Sequence, residues 1–384
     1  MPATSIDERA PSGERVVVML NGSSDWHADA RRTGRIVPRP APIGAAVVGC
    51  GYWGPNLARN LAESPEFRLH ALCDRDPAQL RSLGAPHPHA RALHDFDEVL
   101  CDDAVEAVIV ATPPSTHHPL VKQALQAGKH VLVEKPLATR LQDGRELAEL
   151  ARRSELTLMP GHTFIYSPAV NTVRELIQTD VVGDIHFITS SRMNLGKYQR
   201  DGVVCDLAPH DLSILLYWLG EPVIEVAASG SCVFKEDVPE TAFMTLTFAG
   251  GATANVQLSW LAPRKVRQMI VVGSKRMVQY DDTASDEPVR IYDRGMDVGQ
   301  PTNFGEHQLV YRSGDVVIPR VDAQEPLRLE LQDFAHAIRT GEEPRSNLAL
   351  GLDIVAAVEM AQASMRDNGV PVGSPSAHVE PAAA

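Results

Sequence analysis

The sequence predicts an α/β protein in two parts, a doubly wound parallel sheet followed by a unit built on an antiparallel sheet. Three observations predict it. From Ile43 to Met159 short apolar runs alternate with helical patterns, the grammar of βαβ units. A glycine cluster, Gly49-Cys50-Gly51-Tyr52-Trp53-Gly54, separates the first run from its helix. After Gly161 the period changes, and Phe243, Thr245 and Thr247 alternate with Met244, Leu246 and Phe248 as in a sheet with one buried face. The 384 residues suffice for two domains, each with its own core.

Ile43 to Gly49 reads as a buried strand, and a helix follows from Pro55 to about Glu63 because Pro suits a first helical turn. Phe67 to Cys73 is a second strand, ending before Asp74. A short helix spans Pro77 to Leu83, residues 94 to 103 form a turn and small helix, and Ala104 to Ala111 is another buried strand. The proline-rich loop T-P-P-S-T-H-H-P leads to a helix from about Pro119 to Gly128, closed by a C-cap glycine. His130 to Val133, a helix from Arg140 to Ser154, and Leu156 to Met159 complete the alternation. Then come a helix from Pro168 to Thr179 and strands at Ile185 to Asn194, Val223 to Phe234, Ala242 to Phe248, Ala252 to Trp260, Val266 to Val272 and Met277 to Tyr280. Ala249-Gly250-Gly251 is a hairpin turn signal. Helices return at Pro326 to Arg339 and Leu348 to Asp367.

These patterns place a dinucleotide-binding domain at 43–160 and a second domain at 161–370. Residues 1–42 are expected to form a flexible extension. Arg31-Arg32 is followed by Pro38, Pro40 and Pro42 rather than an uninterrupted apolar segment, so no export signal is read there. The tail 371–384, rich in Pro, Ala and Ser, is expected to be disordered.

Composition is that of a soluble globular protein, with 44% hydrophobic and 22% charged residues. The net charge of -13 argues against nucleic acid or an anionic membrane as partner, although a small site can still be locally positive. Cys50, Cys73, Cys101, Cys205 and Cys232 form no C-x-x-C pair. They read as free thiols of a cytoplasmic protein, neither a disulfide framework nor a zinc site. No cluster has metal-ligand spacing, and no apolar run approaches the ~20 residues that span a bilayer.

The glycine cluster has the context that gives G-x-G-x-x-G its meaning: a strand before it, a helix after it, and an acid about 20 residues on, here Asp74. Gly49 permits the tight turn, Gly51 lets the backbone approach a pyrophosphate, and Gly54 allows close helix–strand packing. Tyr52 and Trp53 lie within the loop. Free N–H groups and the helix dipole favour the anion. This is a Rossmann dinucleotide site. Asp74 would accept from ribose hydroxyls and repel a 2'-phosphate, which favours NAD; Arg75 beside it keeps NADP open.

Three more segments accompany that loop: Ala111-Thr112-Pro113-Pro114-Ser115-Thr116-His117, Glu134-Lys135-Pro136-Leu137 and Asp206-Leu207-Ala208-Pro209-His210. In order and spacing the four resemble the glucose–fructose oxidoreductase / inositol dehydrogenase / rhizopine catabolism (Gfo/Idh/MocA) family, over residues 43 to 370. The resemblance implies a Rossmann domain followed by an α/β domain with an open, mostly antiparallel sheet, one face of which packs against another subunit in a homo-oligomer. It implies oxidation or reduction of a secondary alcohol on a sugar, sugar nucleotide or cyclitol. By position Lys135 matches the family's catalytic lysine, and Asp206 and His210 match its conserved acid and histidine. Thr112, Pro113 and His117 match the loop lining the nicotinamide half of the cofactor, with Glu134 beside it.

The chemistry asks for such residues independently. Removing hydride from a carbinol carbon requires the hydroxyl to lose its proton, and a histidine is suited to take it. A helix beginning near Asp206 would put His210 in its first turn, where the dipole favours neutral imidazole and Pro209 is tolerated. Asp206 could equally be only an N-cap. Lys135 can stabilise developing alkoxide charge. Two assignments stay open: His210 as base with Lys135 as electrostatic partner, or Lys135 as proton acceptor. His162 and Tyr166 sit at the domain junction and could line the cleft or pack the junction. Arg192, Asn194, Lys197 and Tyr198 are candidate sugar contacts.

The segment Ser259 to Arg267, with Arg264, Lys265 and Arg267, resembles the branch of the family acting on nucleotide-linked sugars. A diphosphate or carboxylate would meet these cations, and an exposed charged face explains them as well. The expected substrate is a nucleotide-linked sugar, with C3 as a candidate position; an inositol or aminocyclitol is the alternative. A cofactor-binding regulator or scaffold without turnover is a third reading, against which the intact Lys135, Asp206 and His210 set argues.

Overall fold

The computed structural model describes residues 4–9, 15–20, 40–196, 198–298 and 309–374, whose strands form three sheets. In the first, β1 (Thr4–Arg9) and β2 (Arg15–Leu20) pair antiparallel. This ladder corrects the expectation of an extension without regular structure. The run Val16-Val17-Val18 favours a strand by its stiff, β-branched side chains.

The second sheet contains β3 (Ile43–Val48), β4 (Phe67–Cys73), β5 (Arg91–Leu93), β6 (Ala107–Val110), β7 (His130–Glu134) and β8 (Leu158–Gly161). All its pairs are parallel, in the order β5-β4-β3-β6-β7-β8. Strand order reverses between β3 and β6, which opens a crevice at their carboxyl ends. The connections are α1 (Gly54–Glu63), α2 (Pro77–Gly84), α3 (Phe96–Leu100), α4 (His117–Gln126) and α5 (Leu141–Arg153). Helices cover both faces, so every residue of β3 and of β6 is buried. β6 is shorter than expected because Asp102 accepts from the Ala104 amide at 2.9 Å and holds a turn before it. The helix after the proline-rich loop starts at His117, and Pro114–Thr116 form a 3-10 turn ahead of it.

The third sheet is larger. It contains β9 (Ile185–Leu195), β10 (Val223–Ser231), β11 (Thr241–Phe248), β12 (Thr253–Ser259), β13 (Leu261–Gly273), β14 (Met277–Asp281), β15 (Val289–Val298), β16 (Leu309–Val317) and β17 (Val372–Gly373). The order is β16-β15-β14-β13-β9-β12-β11-β10-β17, antiparallel except where β12 meets β9. The alternation read in β11 holds: Ala242, Met244, Leu246 and Phe248 are buried while Phe243 and Thr245 are exposed. Three helices lie on one face: α6 (Pro168–Gln178), α7 (Gly202–Leu219) and α9 (Leu348–Arg366). β15 and β16 were not foreseen. β17 corrects the disordered-tail expectation at its start, since Val372 and Gly373 pair with Val226 and Glu225; residues 375–384 lie outside the described residues.

Helix α8 (Pro326–Thr340) crosses back to the parallel sheet. Leu327, Leu331, Phe334 and Ala335 share a core with Ile43, Leu57 and Phe67, and the Phe67 and Phe334 rings stack at 6.1 Å. Burying such side chains contributes about 1.5–3 kcal/mol each. Residues expected to belong to the second domain therefore complete the core of the first. α9 is long and apolar enough to cross a membrane by length and composition alone. Here it packs against α5, α7 and β10.

Candidate active site

The glycine loop leaves β3 at its carboxyl end. Gly49 has φ +101, and a Cβ there would lie 2.6 Å from the Ala111 carbonyl oxygen. A Cβ on Gly54 would lie 2.4 Å from the Gly49 carbonyl oxygen. Those two glycines are required by packing. Gly51 is different: a Cβ there meets nothing within 4 Å. The open space above it is where a pyrophosphate would approach the backbone, so the loop fits a dinucleotide. Asp74 ties this loop to β4, accepting from the Cys50 amide at 2.7 Å and from the Asp76 amide at 2.8 Å. Tyr52 is 90% exposed, Trp53 is half-buried and Arg75 is exposed. Burial, aided by Asp74, pushes the Cys50 thiol up to about 12, so it is inert at neutral pH.

The next loop along the crevice is held from within. His117 is fully buried, and its ring nitrogens lie 2.7 Å from the Pro136 carbonyl and 2.9 Å from the Thr112 carbonyl. It clamps the loop after β6 to the loop after β7. It does not line the crevice, which corrects the expectation of a cofactor contact. Thr112 accepts from the Thr116 hydroxyl at 2.7 Å, and Pro113 is exposed. Glu134 ends β7 with the Trp53 indole facing its carboxyl; burial pushes that carboxyl up to about 7.

Lys135 follows. Its ammonium donates to the Asp206 main-chain oxygen at 2.7 Å and to the Asp206 carboxylate at 3.3 Å. The other carboxylate oxygen accepts from the Trp260 indole at 3.1 Å. The three residues thus join the parallel sheet, α7 and the end of β12. The helix start was misplaced: α7 begins at Gly202, so Asp206 lies in its second turn and is not an N-cap, and Pro209 stands inside the helix. That proline removes the bond its N–H would give to the Cys205 carbonyl. The adjacent Asp206 carbonyl accepts from Lys135. His210 lies beyond the first turn, so the helix dipole does not keep it neutral. Burial does, holding its pKa well below the ordinary histidine value, and the positive charges of Lys135, Arg192 and Arg267 add to the effect. Its ring packs edge-on against Phe164 at 5.0 Å.

The structure separates the remaining candidates. Tyr166 is buried, with its hydroxyl donated to Asp333 at 2.7 Å and accepting from the Ser346 amide at 3.1 Å. It is a junction residue, which corrects its placement among substrate contacts. Arg192 is buried too: Nε donates to Asp211 at 2.5 Å, and the guanidinium stacks 4.5 Å from the Phe164 ring. Its charge bears on His210, and its Nη1 has no hydrogen-bond partner among the described residues. His162 is buried with both ring nitrogens unpartnered. Asn194 and Tyr198 are half-buried, and the Tyr198 ring packs tilted against Trp260 at 5.6 Å. Lys197 lies outside the described residues. Sequence reasoning missed Trp260 as the partner of Asp206, and missed Glu330, fully buried on α8. Glu330 did leave a signal, since it interrupts the helical stripe Leu327, Leu331, Phe334.

A family model described as an oxidoreductase family with an NAD-binding Rossmann fold matches residues 43–162, and the GFO/IDH/MocA C-terminal domain matches 170–279. The chain belongs to the GFO/IDH/MocA family. As a member it is an NAD-dependent oxidoreductase. It is similar to the UDP-N-acetylglucosamine 3-dehydrogenase of Acidithiobacillus ferrooxidans, 28% identical over 325 residues, covering 82% of this chain and 96% of that protein. The scyllo-inositol 2-dehydrogenase (NAD(+)) of Bacillus subtilis is 26% identical over 354 residues, covering 86% and 96%. The crystal structure of GenD2 from gentamicin A biosynthesis, in complex with NAD, has a TM-score of 0.73 at 26% identity and covers 88% of this chain and 99% of that one.

Proposed function

We propose that this family member moves hydride between NAD and a secondary hydroxyl or ketone of a nucleotide-linked sugar, with C3 the position to test first. The observation that carries the reading is a bulge in β13. The register between β13 and β9 breaks between Leu261 and Val266, which leaves Arg264 and Lys265 exposed. The bulge follows Trp260, whose indole holds Asp206. A diphosphate or carboxylate of the substrate would meet these cations, a few residues along the chain from Trp260. The likeness to the UDP-N-acetylglucosamine 3-dehydrogenase supports the same reading.

Bound NAD supplies the hydride acceptor. Among the chain's own residues, Lys135 is held against Asp206; we assign it to the substrate oxygen, where it stabilises alkoxide charge. His210, neutral through burial, accepts the hydroxyl proton. The parallel sheet with α8 serves the cofactor, and the antiparallel half serves the substrate. The open face of the large sheet, with Phe187 and Phe243 exposed, is the surface for a homo-oligomer. We place the enzyme in the cytoplasm, where its free cysteines stay reduced.

The test offers UDP-N-acetylglucosamine and other UDP-sugars, then myo- and scyllo-inositol, with NAD, and follows NADH absorbance. Turnover confined to free cyclitols would sink the sugar-nucleotide reading in favour of the second one, an inositol or aminocyclitol dehydrogenase, which the scyllo-inositol relative favours.

A further inference from the structure

Behind Lys135, five buried polar atoms lack a hydrogen-bond partner among the described residues: Nε1 of Trp53, Oε1 of Glu134, Oε1 of Glu330 and both ring nitrogens of His162. They share one neighbourhood. Glu134 on β7 stands in register with Gly161 on β8, and a Cβ on Gly161 would lie 3.5 Å from the Glu134 carboxyl carbon. His162 follows Gly161, and the next residue, Thr163, donates to Glu330 Oε2 at 2.8 Å. Glu330 arrives from α8 with 0% exposure. On the Glu134 side the pair faces Lys135 and the Trp53 indole; on the Glu330 side it faces Asp333 and Thr163. His162 faces Lys135. The Lys135 ammonium is turned to Asp206.

Burial raises both carboxyls, Glu134 to about 7 and Glu330 well above the usual carboxylate range, the latter also under the charge of Glu134. Two neighbouring carboxyls in a medium that solvates charge poorly do not both ionise. The crevice beyond the strand-order reversal, at the carboxyl ends of β6 to β8, is the half left for a nicotinamide once the pyrophosphate occupies the glycine loop. Glu134 lies at that edge.

We propose that Glu134 and Glu330 form a proton-holding pair that reads the charge of the cofactor, releasing a proton to solvent when NAD+ binds and retaining it when NADH binds. The inference rests on the chain's NAD binding and on the assignment of the nicotinamide to this half of the crevice. The two cofactor forms carry the same diphosphate, so a difference between them isolates the ring. No bond other than the O–H of a carboxyl breaks. NAD+ affinity then rises with pH through the neutral range, approaching tenfold per pH unit for a full proton, while NADH affinity stays flat.

Calorimetric titration of the full chain with NAD+ and with NADH, each in two buffers of different ionisation enthalpy at pH 7, counts the protons. Net release is expected with NAD+ and not with NADH. Glu134→Gln should still bind NAD+ but lose the release, whereas Glu330→Gln, which replaces the carboxyl that stays protonated while Glu134 titrates, should keep it. Equal proton counts for the two cofactors, or undiminished release in Glu134→Gln, overturn the pair while leaving the cofactor assignment intact. No binding of either form overturns both. If Glu134→Gln does not fold, the wild-type comparison of NAD+ with NADH decides, and equal proton counts for the two overturn the proposal.

Discussion

Lys135 and Asp206 are joined twice, through the main-chain oxygen at 2.7 Å and the carboxylate at 3.3 Å, so the lysine is positioned by the backbone of α7 as well as by its charge. Asp206→Ala removes the carboxylate contact and releases Trp260, but leaves the main-chain acceptor. The expected loss in kcat/KM is about 10²–10³, the scale for one preorganised electrostatic contact. Asp206→Asn, which still accepts from Trp260, should fall between. Steady-state rates with the substrate that turns over in the screen above would check this ordering, and equal rates for Ala and wild type would remove Asp206 from the site.

The pH profile follows from His210. A base must be unprotonated, so activity rises with pH through its pKa. Burial and three nearby cations lower that value, which moves the rise to the acid side of the ordinary histidine position near 6.5. At saturating NAD+ the kcat/KM profile for the alcohol should therefore show no histidine limb between pH 6 and 8, and His210→Ala should cost roughly 10²–10⁴ in rate. A limb at the ordinary histidine position would count against a buried, neutral His210.

The glycines divide into two kinds, and substitution separates them. Gly49→Ala meets the Ala111 carbonyl from a left-handed backbone and should lower stability by roughly 1–3 kcal/mol, read as a fall in Tm. Gly51→Ala meets no atom of the chain, so Tm should hold while NAD affinity drops. Thermal melts paired with NAD titration distinguish the two outcomes.

Burial of His162 makes acid destabilising. Its folded-state pKa is lowered to about 3, against 6.5 for an ordinary histidine. The unfolded chain therefore binds a proton that the folded chain refuses, and stability falls as pH drops from 6.5 toward 3. Glu134 works in the opposite sense: its raised value, about 7 against 4.5, makes the folded chain the better proton binder, and its contribution fades as pH climbs through that window. Urea midpoints from pH 4.5 to 7 should show a shallower acid-side decline in His162→Gln than in wild type.

Between β9 and α7, Arg192 and Asp211 form an ion pair with both side chains almost wholly shut off from water. Asp211→Ala leaves the guanidinium buried without its counter-charge. The expected cost is about 3–5 kcal/mol in the free energy of unfolding by urea. A loss below 1 kcal/mol would mean that water or another acceptor reaches Arg192.

The parallel half was legible because its signals are local. A strand such as Phe67–Cys73 needs only an apolar run and a punctuating acid, and the glycine loop needs only the chain around it. The helix carrying Asp206 and His210 was misplaced because Pro209 looks like a start signal, and Asp201, the true N-cap, makes no side-chain cap bond. β15 and β16 escaped notice because charges at Arg290, Asp293, Arg294, Arg312 and Asp315 blur their alternation, as is common toward a sheet edge. The inward side chains of Tyr166 and Arg192 could not be told from cleft residues, because burial at a junction depends on partners such as Asp333 and Asp211 that lie far along the chain.

The crossing of α8 to the parallel sheet has a consequence for how the molecule comes into being. Phe67 is made early, and the ring that stacks on it, Phe334, late. The first half leaves the ribosome with Leu57, Leu61 and Phe67 missing part of their cover, and Val355 from α9 is likewise needed over Leu137 and Leu147. Assembly of the cofactor half thus waits on the last part of the chain. A nascent or truncated chain ending before α8 presents sticky apolar surface instead of a finished nucleotide site.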